Sequence, residues 1–289
     1  MKKILILFGI LLINIILANP CHAIKVGLLT NVDKAGIGTD VNGRMISTHT
    51  NRTVATTQAM KGYVIVPYKG QIAIWSKDGY TPLNTDSFVL RPDSEGFVST
   101  KGKWYRGKLL IKNVNDKLIV INDIPIEEYI RGVVPSEMSP SWEYEALKAQ
   151  AIAARSFALA NLGKQAKYGY DLKDNTEDQA YGGASCETDR TNRAVNETEG
   201  LVLTYDMKII SAYYSASAGG YTNTNAWGIN NLPYLHSVFS FDDNVAKNGH
   251  GVGMSQHGAN NLAKQGYNAY QILQYFYQNV KFAKLNSEV

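Results

Sequence analysis

The stretch from Pro140 to Gly163, PSWEYEALKAQAIAARSFALANLG, sets the terms for the rest of the chain. Leu147, Ala151, Ala154 and Ala158 fall on one face at helical spacing. A face made of such small side chains cannot sit against solvent to any advantage, so it implies close packing on another element. The ends are marked as well. Ser139 is expected to cap the helix, Pro140 suits its first turn, and Glu143 and Glu145 lie near the positive end of its dipole. Gly163 is expected to end it. Lys148 and Arg155 are seven apart, so they point in nearly the same direction at the margin of the packed face.

A helix packed this closely needs partners, and the sequence on either side supplies them. From Ile24 to about Val120 the chain is a series of short runs rich in Val, Ile, Tyr and Trp, such as GYVIVPYK, QIAIWSK and KLIVIND. Gly, Asn and Asp clusters separate them, which is strand patterning. At Asp123 the character changes: IPIEEYIRGVV predicts a short helix ahead of the long one. Residues 164–200 are polar and irregular, and LVLTYDMKIISAYYSAS predicts two strands with a turn near Asp206. Two helices are predicted near the end, from Ser255 or Gln256 to Lys264 and from an Asn268 cap to about Tyr277. The expectation is a mixed α+β protein, rich in strands, with a central helix pair and C-terminal helices. The expected divisions are a leader at 1–23, a β-rich extension at 24–104 and a main domain at 105–289.

The leader reading rests on Lys2 and Lys3, the apolar run ILILFGILLINIILA and the following NPCHA. That is the order of an export signal, with cleavage expected after Ala23. An uncleaved membrane anchor is the alternative, and a lipoprotein reading at Cys21 is weaker because Pro20 stands where a small residue is wanted. The expected location is outside the cytoplasmic membrane, in the cell wall or periplasmic space. Without the leader's two lysines, 27 basic residues face 25 acidic ones, and there is no basic tract, so nothing points to nucleic acid. Of the two cysteines, only Cys186 lies beyond the leader, so no internal disulfide is expected.

Three stretches carry candidate chemistry. Glu137, in Pro-Ser-Glu-Met, stands between the apolar run YIRGVVP and the long helix. Locally it is either a solvated charge or a carboxyl in a cleft, where burial would keep it protonated enough to act as an acid. SASAGGYT, residues 215–222, is either a turn or a backbone surface for a polar ligand. HGVGMSQHG, residues 250–258, lacks the lysine of a phosphate loop, has one residue too many for a serine nucleophile elbow, and has no zinc-helix spacing. A serine or metal hydrolase is therefore the weaker reading.

Taken together, IEEYIRGVVPSEMSPSWEYEALKAQAIAARSFAL, DQAYGG, TNRAV, YYSASAGGYT and GHGVGMSQHGANNLAKQGY, in this order, resemble the SpoIID/LytB family over roughly residues 105–280. The resemblance implies a peptidoglycan-active protein, a lytic transglycosylase on glycan strands stripped of stem peptides. The alternative is a non-catalytic wall-binding enhancer of an N-acetylmuramoyl-L-alanine amidase. It implies Glu137 as the essential acid. As substrate-binding residues it implies Lys148, Gln150, Arg155, Tyr181, Tyr214, Ser217, Gly219, Gly220, His250, Gly251, Gly253, Ser255 and Gln256. Peptidoglycan glycan strands and a cell-wall amidase are the implied partners, and no cofactor is expected. Some members of the family hold zinc near the stretch matching GASCETD. Here that region offers one cysteine and no histidine between Gly163 and Leu235, so no metal is expected.

Overall fold

A computed structural model of the protein describes residues 23–225 and 232–285. The leader reading falls on residues 1–22, which lie outside that description. Among the described residues no helix is long and apolar enough to cross a membrane.

Two sheets build the N-terminal half. The larger runs in the order Leu172–Lys173, Ala23–Val32, Lys117–Pro125, Lys108–Val114, Ser87–Pro92, Gly43–Ser47, Thr53–Thr57. The second runs Lys103–Tyr105, Val98–Thr100, Ala35–Thr39, Gly62–Tyr68, Gln71–Ser76, Gly79–Pro82. Alternation explains the first sheet: Ile24 and Val26 of the first strand, and Leu118 and Val120 of its neighbour, are all fully buried. The larger sheet draws strands from both sides of residue 105, with Ile24 paired to Ile124 and Phe88 to Ile111.

The helices are α1 (Ile126–Glu137), α2 (Tyr144–Ala160), α3 (Asp189–Glu197), α4 (Gln256–Lys264) and α5 (Ala269–Phe276). The mixed α+β architecture is the one expected. Helix α2 is its axle, in contact with the other four helices and with the strand Leu201–Tyr205. Burial extends well beyond one face: Ala149, Ile152 and Ala153 are as inaccessible as Leu147, Ala151, Ala154 and Ala158.

Two helix boundaries differ from expectation. First, α1 does not stop before Pro135 but carries it inside and ends on Glu137. Proline removes one N–H and crowds the carbonyl four residues back, and the helix runs only two residues beyond it. Second, Ser139 does not cap α2. Its Oγ bonds the Ser141 hydroxyl at 2.8 Å within a turn, and α2 begins at Tyr144 with Glu143 before it. That start is held from another helix, because Asn260 of α4 accepts the Glu143 N–H at 2.8 Å. The C-terminal caps follow the sequence: Ser255 caps α4, and Asn268 with Gln271 forms a capping box on α5.

Candidate active site

A cavity of about 810 Å³ opens beside the end of α1, within the usual range of ligand sites. Glu137, Tyr214, His250 and Gln256 all line it, although they come from three separate parts of the chain. A short parallel ladder brings two of these parts together, pairing Tyr214 with Met254 and Ser215 with Ser255.

Glu137 is held by two donors. The Ala180 N–H reaches Oε1 at 2.7 Å and the Gln256 amide reaches Oε2 at 3.3 Å, and the Tyr214 hydroxyl, in the same cavity lining, also favours the charged carboxylate. Burial pushes its carboxyl above the usual glutamate range, and these bonds only partly offset the push. Two other carboxylates line the cavity, each engaged by a lysine. Asp178 pairs with Lys164 at 2.5 Å and accepts the Lys173 N–H at 2.7 Å, and Glu177 pairs with the Lys173 ammonium.

His250 is kept neutral. Burial holds its imidazole below the usual range, its Nδ1 accepts from the Val252 N–H at 2.9 Å, and the ring bonds the Tyr214 backbone. Gln150, fully buried in α2, touches the site through Gln256, whose amide lies 3.5 Å from the Gln150 carbonyl.

The serine-glycine and histidine-glycine stretches form the wall behind these groups. Asp242 clamps them together: it accepts from the N–H groups of Ala218 and Gly220, at 2.7 and 3.0 Å, and from the hydroxyls of Ser240 and Ser255. Ser217 gives its hydroxyl to the Ala246 carbonyl at 2.6 Å. Gly219 and Gly251 lie under the Lys247 side chain. At Gly253, with φ +74°, a Cβ would stand 2.0 Å from the Tyr213 carbonyl, so only glycine permits that crossing. Ser255, 1% exposed and bonded to Asp242, is a cap and a clamp, which removes the nucleophile reading.

Three residues expected at the substrate are elsewhere. Arg155 is fully buried and forks onto Glu127, with Nε 2.7 Å from Oε1 and Nη2 2.6 Å from Oε2, while Nη1 bonds the Leu201 carbonyl at 3.0 Å. It ties α1, α2 and a strand together, and its full burial keeps it from a ligand in the cavity. Lys148 points the other way, to Glu145 at 2.6 Å and over the Tyr144 ring. Tyr181 is core: its hydroxyl donates to Asn122 at 2.7 Å and its ring lies against Tyr105 and Tyr129. Sequence spacing puts a residue on a helix face but not that face in a cleft.

Two residues were missed, Gln179 and Asp242. Gln179 stands two residues before Tyr181 in DQAYGG and is fully buried behind Tyr214. Asp242 lies in no glycine-rich stretch and carried no local signal. Cys186 bonds the Ser136 hydroxyl at 3.3 Å and the Gly132 and Gly183 carbonyls at 3.3 and 3.1 Å. Those partners do not make a zinc ligand set.

The sequence pattern of the Stage II sporulation protein family matches residues 114–205, which include Glu137 and α2. An uncharacterised protein of Brachyspira hyodysenteriae is 36% identical over 200 residues, 67% of this chain and 49% of that one. The amidase enhancer of Bacillus subtilis is 44% identical over 108 residues, 37% of this chain and 14% of that one. Stage II sporulation protein D of Bacillus subtilis is 38% identical over 136 residues, 42% of this chain and 40% of that one. The chain thus spans half or less of the length of these curated relatives. With the motifs in order, the matched segment around Glu137 and relatives that carry both names, the chain belongs to the SpoIID/LytB family.

Proposed function

We propose that the protein is an exported lytic transglycosylase that cleaves peptidoglycan glycan strands, those stripped of stem peptides in particular, with Glu137 as its acid and base. The observation that carries this reading is a buried carboxyl, raised in pKa, in a cavity whose other two carboxylates are each bound to lysine. Hydrolytic glycosidases need a second free carboxylate to activate water or attack the sugar. A transglycosylase does not, because the sugar's own 6-hydroxyl is the nucleophile.

In this reading Glu137 gives its proton to the glycosidic oxygen as the bond from that oxygen to C1 breaks. The 6-hydroxyl oxygen then bonds C1, and its proton returns to Glu137. No water is consumed, and the product carries a 1,6-anhydro end. Lys164, paired with Asp178, is the cation in the cavity lining, so it, rather than Lys148 or Arg155, is the one that would meet an anionic group on the glycan.

The names of the relatives support a cell-wall role and leave open a second reading, a non-catalytic enhancer of an amidase. Incubating the purified protein with intact and with peptide-stripped strands decides between them. Anhydro-ended fragments in the mass spectrum, lost in Glu137→Gln, are the expected result. Glycan binding without such fragments, together with a faster partner amidase, would establish the enhancer instead.

A further inference from the structure

The hydrogen bonds behind Glu137 run in one direction only. Gln179 is fully buried, and its Nε2 lies 3.2 Å from the Ala154 carbonyl of α2 and 2.8 Å from the Tyr214 hydroxyl. A backbone carbonyl can only accept. The nitrogen of the Gln179 amide must therefore face Ala154, and the flipped amide would set two oxygens against each other. With that orientation fixed, the second N–H of the same amide donates to Tyr214. The Tyr214 oxygen receives this hydrogen, so its own single proton is free to turn toward Glu137, which lines the same cavity. At the other side, the Gln179 oxygen takes the hydroxyl proton of Tyr129 at 3.1 Å.

We propose that Gln179 is a positioning residue: locked by the Ala154 carbonyl, it dictates through Tyr214 that a proton donor, never an acceptor, is presented to Glu137. This inference rests on the reading of Glu137 as the acid and base. It deepens that reading, because a carboxylate formed when the proton leaves is met by a donor already aligned and needing no rearrangement. The amide also keeps the tyrosine from acting as a competing acceptor for the Glu137 proton.

The titratable groups around Glu137 are Tyr129 of α1, Lys164 after α2, Glu177 and Asp178 of the following loop, Tyr214, and His250. Lys164 is paired with Asp178 and Lys173 with Glu177, burial holds His250 below its usual range, and burial raises Glu137.

The test reads Glu137 directly, by carbon NMR titration of the full chain carrying labelled glutamate, with Glu137→Gln assigning the resonance. Removing a donor from a carboxylate disfavours the charged form, so Tyr214→Phe is expected to raise the Glu137 pKa by about one unit. Gln179→Met, close in shape but unable to donate, is expected to move it in the same direction by less. The double variant is expected to match Tyr214→Phe alone, because Gln179 acts through Tyr214. A pKa unmoved by Gln179→Met, or single shifts that add in the double variant, would overturn the proposal. If Gln179→Met does not fold, an unmoved pKa in Tyr214→Phe overturns it as well. The titration needs no substrate, so its failure is distinct from a failure to find anhydro products.

Discussion

Ser255 donates its hydroxyl to Asp242 at 2.5 Å and accepts the Gly258 N–H at 3.0 Å, so one side chain closes a helix cap and a loop clamp at once. Two glycine-rich stretches far apart in sequence meet at that point, and the cavity wall depends on the carboxylate that joins them.

Asp242→Asn should therefore be severely destabilising. Asparagine has one acceptor oxygen where four donors converge, and its amide nitrogen faces donors. A loss of about 3 kcal/mol or more in urea unfolding is expected. Burial works against the Asp242 charge, but its hydrogen bonds win and hold it below the usual 3.8. A carboxyl lowered in the folded state stabilises fully above its unfolded value, and that stability disappears as pH falls through the folded one. The wild type should lose stability on acidification below about pH 4, and the part of that loss due to Asp242 should be absent in Asp242→Asn.

Glu137 has the opposite sign. Its folded pKa is raised, so the fold favours the neutral form; that contribution is complete below the unfolded value and is lost as pH rises through the folded one. At neutral pH the charged group is a burden on stability. Glu137→Gln is expected to melt no lower than the wild type at pH 7, and the difference should shrink toward pH 4. A markedly lower melting temperature at pH 7 would contradict this sign.

Arg155→Met should act on stability rather than on the cavity. It strands Glu127 beside the buried core and removes the bond to the Leu201 carbonyl. Breaking a buried pair in this way costs about 3–5 kcal/mol. Glycan binding by the fraction that stays folded should be unchanged, which a binding isotherm checked against circular dichroism will reveal.

Gly258→Ala reverses the ordinary helix rule. In a helix, alanine usually improves on glycine by about 1 kcal/mol. Here a Cβ would lie 1.9 Å from the Ser240 carbonyl, beside the Asp242 clamp. The expected result is a loss in thermal unfolding of roughly 1–3 kcal/mol.

Much of this architecture was legible because it is local. The Asn268 cap, the Ser255 cap and the helical spacing of α2 depend on neighbours within a turn or two. The limits appear where the partner is distant. Ser139 looked like a cap, but a Ser-Pro-Ser turn absorbed it and Asn260, 117 residues away, took over the start of α2. Arg155 sat at the right spacing for a cleft, yet Glu127 claimed it from the neighbouring helix. Gln179 and Asp242 carry no periodicity, because apart from the Ser240 hydroxyl their partners lie 13 to 50 residues off.

The ending of α1 on Glu137 bears on the reaction itself. Had the acid stood just ahead of α2, as the sequence suggests, that helix's positive pole would have favoured the ionised carboxylate. Standing instead at the last residue of α1, it meets the negative pole, where the final carbonyls disfavour a second negative charge. The field of the helix thus acts in the same sense as burial. In the proposed reaction it would work as a weak spring that holds the proton on Glu137 before the bond breaks and draws one back from the sugar afterwards.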